Sequence, residues 1–481
     1  MAQFGRAVWP ATPPLPPAPV KTHSRRSAVL SRRQFIGTAG KVAALLSMPT
    51  IIPSRLFGAD APSNRIRVGQ IGCGRIAQGH DMPGVLNSKL ADIVAICDLD
   101  TVRAANGKAW VEKFGRDNGL AVPPITVHHH SQEILDRKDI DAVVISSPDF
   151  WHAELAMAAV MAGKDVYLQK PMTMTVEEGI ALRQCVANSR QILQVGSQQR
   201  SWTQFRQACE CVRSGRVGRV TAVEIGLPVD PTAPDDPPQA VPANLDYDRW
   251  LGPTDEVYYT EQRVHPQKDY SRPGWLRNES YCLGMITGWG AHHFDTAHWG
   301  LNVEHSGPGR VEGRAVFPTN KIWNVHGAYH VELAYPDNVK MTVADTFPNG
   351  IRFIGDEGWI FVARDTMTSP TDMGKVHQLK FLDASDPKLL SQDGLSVRLP
   401  VSSEHHKNWL ECVHSRQAPM APADIGHRSN SACIVSWIAM KLGRPVNWDV
   451  VTERFVNDDE ANSMLSRPER SPYGVKHLAR A

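Results

Sequence analysis

Cysteine is scarce: eight in 481 residues and none in a C-x-x-C pair, which excludes a disulfide scaffold and the usual zinc-module spacings. No apolar run approaches the ~20 residues a membrane-spanning helix requires. No internal repeat recurs. The net charge is only +2, but it is unevenly placed: residues 1–60 hold eight Lys/Arg and one acid, Asp60, so +7 sits there and −5 on the rest. A mildly acidic body lacks the basic face that a nucleic-acid partner needs. What remains is ordinary globular material, 42% hydrophobic and 21% charged, long enough for two or three domains at ~150 residues each.

Residues 1–30 contain six prolines and little periodicity, the composition of a segment that builds no core. Ser31-Arg32-Arg33-Gln34-Phe35-Ile36 then precedes a weak, Lys41-interrupted apolar stretch reaching Ile51-Ile52. Paired arginines ahead of such a stretch match a twin-arginine export signal. Residues 1–60 are therefore assigned as a disordered leader and signal. The expected partner is the twin-arginine translocase, the expected location periplasmic, with no membrane span after processing.

From residue 65 the pattern becomes strands alternating with helices. Ile66-Arg67-Val68-Gly69-Gln70-Ile71 reads as a buried strand running into Gly72-Cys73-Gly74-Arg75-Ile76-Ala77. In this G-x-G-x-x-A loop Gly72 permits the tight turn, Gly74 lets a pyrophosphate approach bare backbone, and Ala77 lets the helix pack on the strand. A second strand, residues 92–97, ends at Asp98, 21 residues past Ala77, where the ribose 2′-hydroxyl of NAD needs an acceptor. A 2′-phosphate would be repelled there, so the expected cofactor is NAD rather than NADP. Further strands at 141–146, 165–168 and 192–196 alternate with helices at 152–162 and 175–189. Their exits place Ser147, Pro148, His152, Gln169, Lys170 and Gln198 at the carboxyl edge, where ligands bind in such sheets. With Arg75 and Ile76 these are the candidate cofactor contacts.

After residue 196 that rhythm ends. A helix is expected at 203–214 and a strand at 218–225. A Pro/Asp-rich loop at 228–242 has the length of a lid or an oligomer arm. Strand-like runs at 327–334, 338–345 and 350–363 lack intervening helices, which points to an antiparallel sheet, and helices at 405–415 and 429–442 close the chain. The fold class is thus an α/β Rossmann domain, residues 65–196, plus an α+β domain, residues 197–481, with a large, mostly antiparallel open sheet.

The chemically dense segment is Thr287-Gly288-Trp289-Gly290-Ala291-His292-His293-Phe294-Asp295-Thr296-Ala297-His298-Trp299, a turn entering a helix. His292, Asp295 and Trp299 share one helix face, whereas His292 and His293 point about 100° apart. An imidazole beside a nicotinamide is a natural acceptor for an alcohol proton. Zinc is excluded here by the i, i+1 spacing, and His128-His129-His130 is assigned to a loop, so no metal is expected. His265, Arg272, Trp275, Arg277, His293 and Asp295 are the candidate sugar contacts.

Gly72, Gly74, Ala77, Asp98, Ser147-Pro148, Gln169-Lys170-Pro171 and the His292 helix together resemble the Gfo/Idh/MocA oxidoreductases. Leu245-Asp246-Tyr247-Asp248-Arg249-Trp250-Leu251-Gly252-Pro253 and Gly426-His427-Arg428-Ser429 resemble an exported branch of that family. The resemblance implies a sugar, cyclitol or glycoside substrate and a homo-oligomer joined through the open sheet face. It implies that Lys170 positions the substrate hydroxyl and that His292 takes its proton. Two positions depart from the family pattern: Gln169 stands for the Glu of E-K-P, and Gly288 for the Asp of D-x-x-x-H. The imidazole then lacks its usual carboxylate, a place Asp295 or a substrate group can fill.

Free NAD is scarce outside the cytoplasm, which favours a cofactor carried out bound and regenerated in place. Three readings follow: a sugar or glycoside oxidoreductase with tightly held NAD, a glycoside-cleaving enzyme that oxidises a hydroxyl transiently, and a non-catalytic sugar- and dinucleotide-binding scaffold.

Overall fold

The computed structural model describes residues 64–366 and 379–478. The leader and its paired arginines lie outside them.

The strand at 142–145 is a continuous apolar run, as a sheet covered on both faces requires: Ala142, Val143, Val144 and Ile145 are all fully buried. Six parallel strands, β1 (Ile66–Ile71), β2 (Ala91–Cys97), β3 (Thr126–His128), β4 (Ala142–Ile145), β5 (Asp165–Leu168) and β6 (Leu193–Val195), lie in the order 3-2-1-4-5-6. The order reverses between β1 and β4, and the loops leaving those two strands open a crevice there. Helix starts are set by side chains that satisfy free N–H groups. Asp100 accepts from Val102 N and Arg103 N to begin Thr101–Asp117, and Thr175 with Glu178 forms a capping box at Val176–Ala187.

Among the described residues the second sheet has nine strands, in the order 13-12-11-7-10-9-8-14-15. They are β7 (Val220–Gly226), β8 (Arg310–Ala315), β9 (Tyr329–Ala334), β10 (Lys340–Ala344), β11 (Gly350–Gly355), β12 (Gly358–Val362), β13 (Leu382–Ala384), β14 (Val446–Asp449) and β15 (Arg454–Phe455). Every neighbouring pair is antiparallel except β7 and β10. The run expected at 350–363 is a hairpin of two strands, because Gly355 pairs with Gly358 across the turn. The closing helix begins at Ala423, six residues before its expected start, directly after Pro422. The loop at 228–242 is fastened to its neighbours: Asp235 accepts from Lys321 N and Ile322 N, and Asn320 donates to the Ala233 carbonyl.

One late helix, His405–Ser415, returns to the first sheet. Its Trp409, Leu410 and Val413 share a buried cluster with Ile66, Val68, Ile93 and Tyr167. The parallel sheet is therefore completed by residues more than two hundred positions downstream of its last strand. Among the described residues no helix is long and apolar enough to cross a membrane.

Candidate active site

A cleft of about 220 Å³ opens at the carboxyl ends of β1 and β4. Gly72, Gly74, Arg75 and Ile76 line it from the first loop, and Ser147, Pro148, Asp149 and His152 from the loop after β4. Gly72 has φ +85°, and a Cβ there would collide with the Ser146 backbone. A Cβ on Gly74 would meet nothing within 4 Å, so the space beside its backbone is open to a ligand. Ala77, the first residue of the helical turn Ala77–Asp81, is fully buried. Asp98 lines the cleft and accepts from Cys73 N at 2.8 Å and Asp100 N at 2.9 Å, which ties the glycine loop to the end of β2. Burial raises its pKa. An open backbone cradle facing a carboxylate is the donor and acceptor set that a dinucleotide's pyrophosphate and ribose require, so these residues fit NAD.

The roof of this end is the segment 265–276. His265 Nε2 lies 3.1 Å from Asp100 Oδ2, and Arg103 donates to the carbonyls of Pro266 and Asp269. His265 and Trp275, expected at the sugar, thus line the same cleft as Asp98, with His265 held to the helix cap on the nucleotide side. His128 closes β3 and contacts Glu133, while His129 and His130 line the cleft.

At the other end stands Lys170, in the loop after β5. Its Nζ donates to the Gly288 carbonyl at 2.8 Å. Gly288 precedes the helix Gly290–Leu301, which carries His292 and His293. This bond joins the two candidate catalytic segments. Burial lowers the Lys170 pKa, opposed by the charge of Asp149. Burial also raises Asp149, to about 7, against the pull of Lys170. His292 is held well below its ordinary value, by burial first and then by the charges of Arg364 and Lys170. His293 is lowered to about 3 by burial and Arg364. Both imidazoles are neutral at pH 7, and the Nδ1 of each is buried without a hydrogen-bond partner among the described residues. His152 is lowered to about 4 by burial and contacts the carbonyls of Pro171 and Ser147.

Four expected contacts belong elsewhere or are already engaged. Asp295 is gripped by Arg200 through both carboxylate oxygens, at 2.7 and 2.9 Å, and both residues are buried. It neither reaches a sugar nor serves His292. Gln198 turns into the core and donates to the Tyr167 hydroxyl, away from the cleft lining. Arg272 pairs with Asp230 at 2.8 Å, and Arg277 stacks on Trp323 with its guanidinium carbon 4.3 Å from the ring centre.

Behind Lys170 lies a buried polar network that sequence reasoning missed. Gln169 Nε2 donates to Asp81 Oδ1, and the Ser146 hydroxyl donates to Asp81 Oδ2. His406 lies between Asp81, at 3.1 Å, and Glu404, at 2.9 Å. His80, Asp81 and His406 bring potential metal ligands within 4.8 Å of one another. Burial depresses His406, but its bonds to the two carboxylates outweigh that and lift it to about 9. At neutral pH it is therefore a hydrogen-bond donor to both acids.

Comparison with known proteins places this geometry. A family model described as an oxidoreductase family with an NAD-binding Rossmann fold matches residues 66–197, and one described as the family's C-terminal alpha/beta domain matches residues 233–475. A glycosyl hydrolase family 109 protein of Shewanella sp. (strain ANA-3) is 31% identical over 154 residues, which cover 32% of this chain and 31% of that protein. An inositol 2-dehydrogenase of Saccharopolyspora erythraea is 28% identical over 225 residues, 45% of this chain and 62% of that one. The chain thus spans less than two thirds of the length of either relative. Among solved structures, the WlbA dehydrogenase of Bordetella pertussis in complex with NADH and UDP-GlcNAcA superposes with TM-score 0.57 at 16% identity, over 80% of this chain and 99% of that one. The aldose-aldose oxidoreductase of Caulobacter crescentus gives 0.56 at 18% identity, over 80% and 99%. At such identities the likeness speaks for the fold.

Proposed function

We propose, from the premise that this chain belongs to the Gfo/Idh/MocA oxidoreductase family, that it moves hydride between a sugar or glycoside hydroxyl and a tightly held NAD. The observation that carries this is the 2.8 Å bond from Lys170 Nζ to the Gly288 carbonyl, which draws the cleft floor and the His292 helix together. The inositol 2-dehydrogenase among the relatives supports a polyhydroxylated substrate.

Bound NAD supplies the hydride acceptor. The chain's own residues handle the proton. The Lys170 ammonium donates to the substrate oxygen and fixes its position. Neutral His292 offers an acceptor, but its surroundings suppress its basicity. Asp149, buried near Lys170 with a pKa of about 7, is the better matched group to hold the departing proton.

The paired Arg32-Arg33 support export of the folded protein by the twin-arginine translocase, and with it a cofactor that is retained rather than exchanged. Association of copies through the nine-stranded sheet completes the proposal; β8 alternates buried with exposed residues and β9 buried with half-buried ones, which leaves part of one face uncovered. Light scattering reads the copy number.

To test the activity, NAD-loaded protein is offered hexoses, cyclitols and glycosides while reduced nicotinamide is followed by absorbance. Reduction by at least one class is expected, and its loss in Lys170→Met with NAD still bound. A full NAD complement that no class reduces overturns the reading. The glycosyl hydrolase family 109 relatives favour a second one: oxidation would acidify the neighbouring C–H, that proton and the glycosidic substituent would depart as an alcohol, water would add to the resulting enone, and hydride would return to the ketone. Phenol released from aryl glycosides distinguishes it.

A further inference from the structure

One cation at the reactive end has no task in the chemistry above. Arg364 follows β12 and is half-buried, its guanidinium carbon 4.7 Å from the ring centre of Trp289 and 5.4 Å from that of Trp202. Trp289 in turn stands edge-on to His292 and His293, with ring centres 5.9 and 6.1 Å apart. The charge of Arg364 is felt at His292 and at Lys170, lowering the pKa of each. One aromatic ring, Trp289, thus stands between the guanidinium and the two imidazoles.

Other arginines of the second domain have close acids. Arg200 has Asp295 and Glu304, and Arg272 has Asp230. The acid acting on Arg364 is Asp365, an exposed neighbour in sequence. Burial lowers the Arg364 pKa to about 10, so the group stays cationic at neutral pH. Arg364 Nε and Trp289 Nε1 are buried with no hydrogen-bond partner among the described residues. Both are donors only, and buried donors left unmatched are rare in native proteins. Asp149, the acid whose charge acts on Lys170, is itself partly protonated near neutrality. Among the described residues, the reactive end thus carries positive charge in excess and N–H groups without an acceptor.

We propose that the sugar bears an anionic substituent, received by Arg364 between Trp202 and Trp289 while the hydroxyl to be oxidised lies at Lys170 and His292. A carboxylate, as in a hexuronic acid, and a sulfate ester share this chemistry; both meet a guanidinium through paired N–H···O bonds. The inference rests on the sugar-oxidoreductase reading and names its substrate class.

The test titrates NAD-loaded protein calorimetrically with matched hexose, hexuronate and hexose 6-sulfate methyl glycosides of gluco, galacto and manno configuration. In at least one configuration a charged member is expected to bind about 10- to 100-fold more tightly than the neutral one. The preference should weaken with added salt, collapse in Arg364→Gln and survive in part in Arg364→Lys. Which charged member leads identifies carboxylate or sulfate. Melting temperature and NAD content confirm that each variant is folded; if Arg364→Gln does not fold, Arg364→Lys decides, since losing the paired geometry should cut the preference several-fold. Equal affinity for neutral and charged sugars, or a preference unmoved by folded Arg364 variants, overturns the proposal. Charge-selective binding without hydride transfer tells against the oxidoreductase reading alone. Transfer from neutral sugars without charge preference tells against Arg364 alone.

Discussion

Gln169 donates its side-chain amide to Asp81 Oδ1 over 2.7 Å, and both residues are fully buried. The Gln169 carbonyl oxygen in turn faces the Lys170 backbone N–H at 3.3 Å. The carboxylate that the family resemblance leads one to expect at position 169 thus stands at position 81, one hydrogen bond behind the lysine. A Glu at 169 would press a second negative charge against Asp81 where no water screens it.

Gln169→Glu should therefore lower stability by about 2–4 kcal/mol, the cost of an unmatched buried charge. Adding Asp81→Asn in the same chain should recover part of that loss, because the new acid then faces an amide. Urea unfolding of the two single variants and the double variant measures the coupling. Additive losses would contradict the account.

His406 makes stability depend on pH in a stated direction. Its folded pKa, about 9, lies above the ordinary imidazole value, so its contribution is complete below pH ~6.5 and fades as pH rises through 9. Asp81 is shifted the other way: burial pushes it up, but its bonds to His406 and His80 hold it well below the carboxylate range. Its contribution is present above the ordinary carboxylate pKa and is lost only in acid. Melting temperature should thus decline between pH 6.5 and 9.5. His406→Gln should cost about 2–4 kcal/mol at pH 6 and flatten that decline.

Asp149 should govern the pH profile of alcohol oxidation. Since its carboxyl titrates at about 7, kcat/KM should rise with pH through that value as the carboxylate becomes available to take a proton. In Asp149→Asn this limb should vanish and the rate fall about 100-fold. An unchanged inflection would assign the proton to another group.

The parts of the site legible in the sequence were those built from near neighbours. Gly72, Gly74 and Asp98 lie within one strand–helix–strand unit, so spacing alone locates them. Lys170 sits at a strand exit, where topology directs function. What eluded the sequence were pairings between distant segments. A helical wheel groups His292, Asp295 and Trp299, but does not reveal that Arg200 covers Asp295 and lies 5.1 Å from the Trp299 ring centre. Nothing local at Asp81 announces His406, 325 residues away. Asp149 carried a weak signal, being next to Ser147-Pro148; its burial became visible only in the fold. Arg364 follows a strand in the second domain and belongs to no motif. The early start of the helix at Ala423 was masked by a polar first turn, Ala423-Asp424-Ile425-Gly426-His427-Arg428, that shows no apolar periodicity.

The most direct measurement traces the hydrogen itself. NAD-loaded protein is given sugars deuterated at each carbinol carbon in turn, and the nucleotide is recovered after a single turnover for mass analysis. Deuterium on the nicotinamide from one labelled position, absent in Lys170→Met, is the predicted result. An unlabelled nucleotide from every labelled sugar, with NAD present throughout, would contradict it.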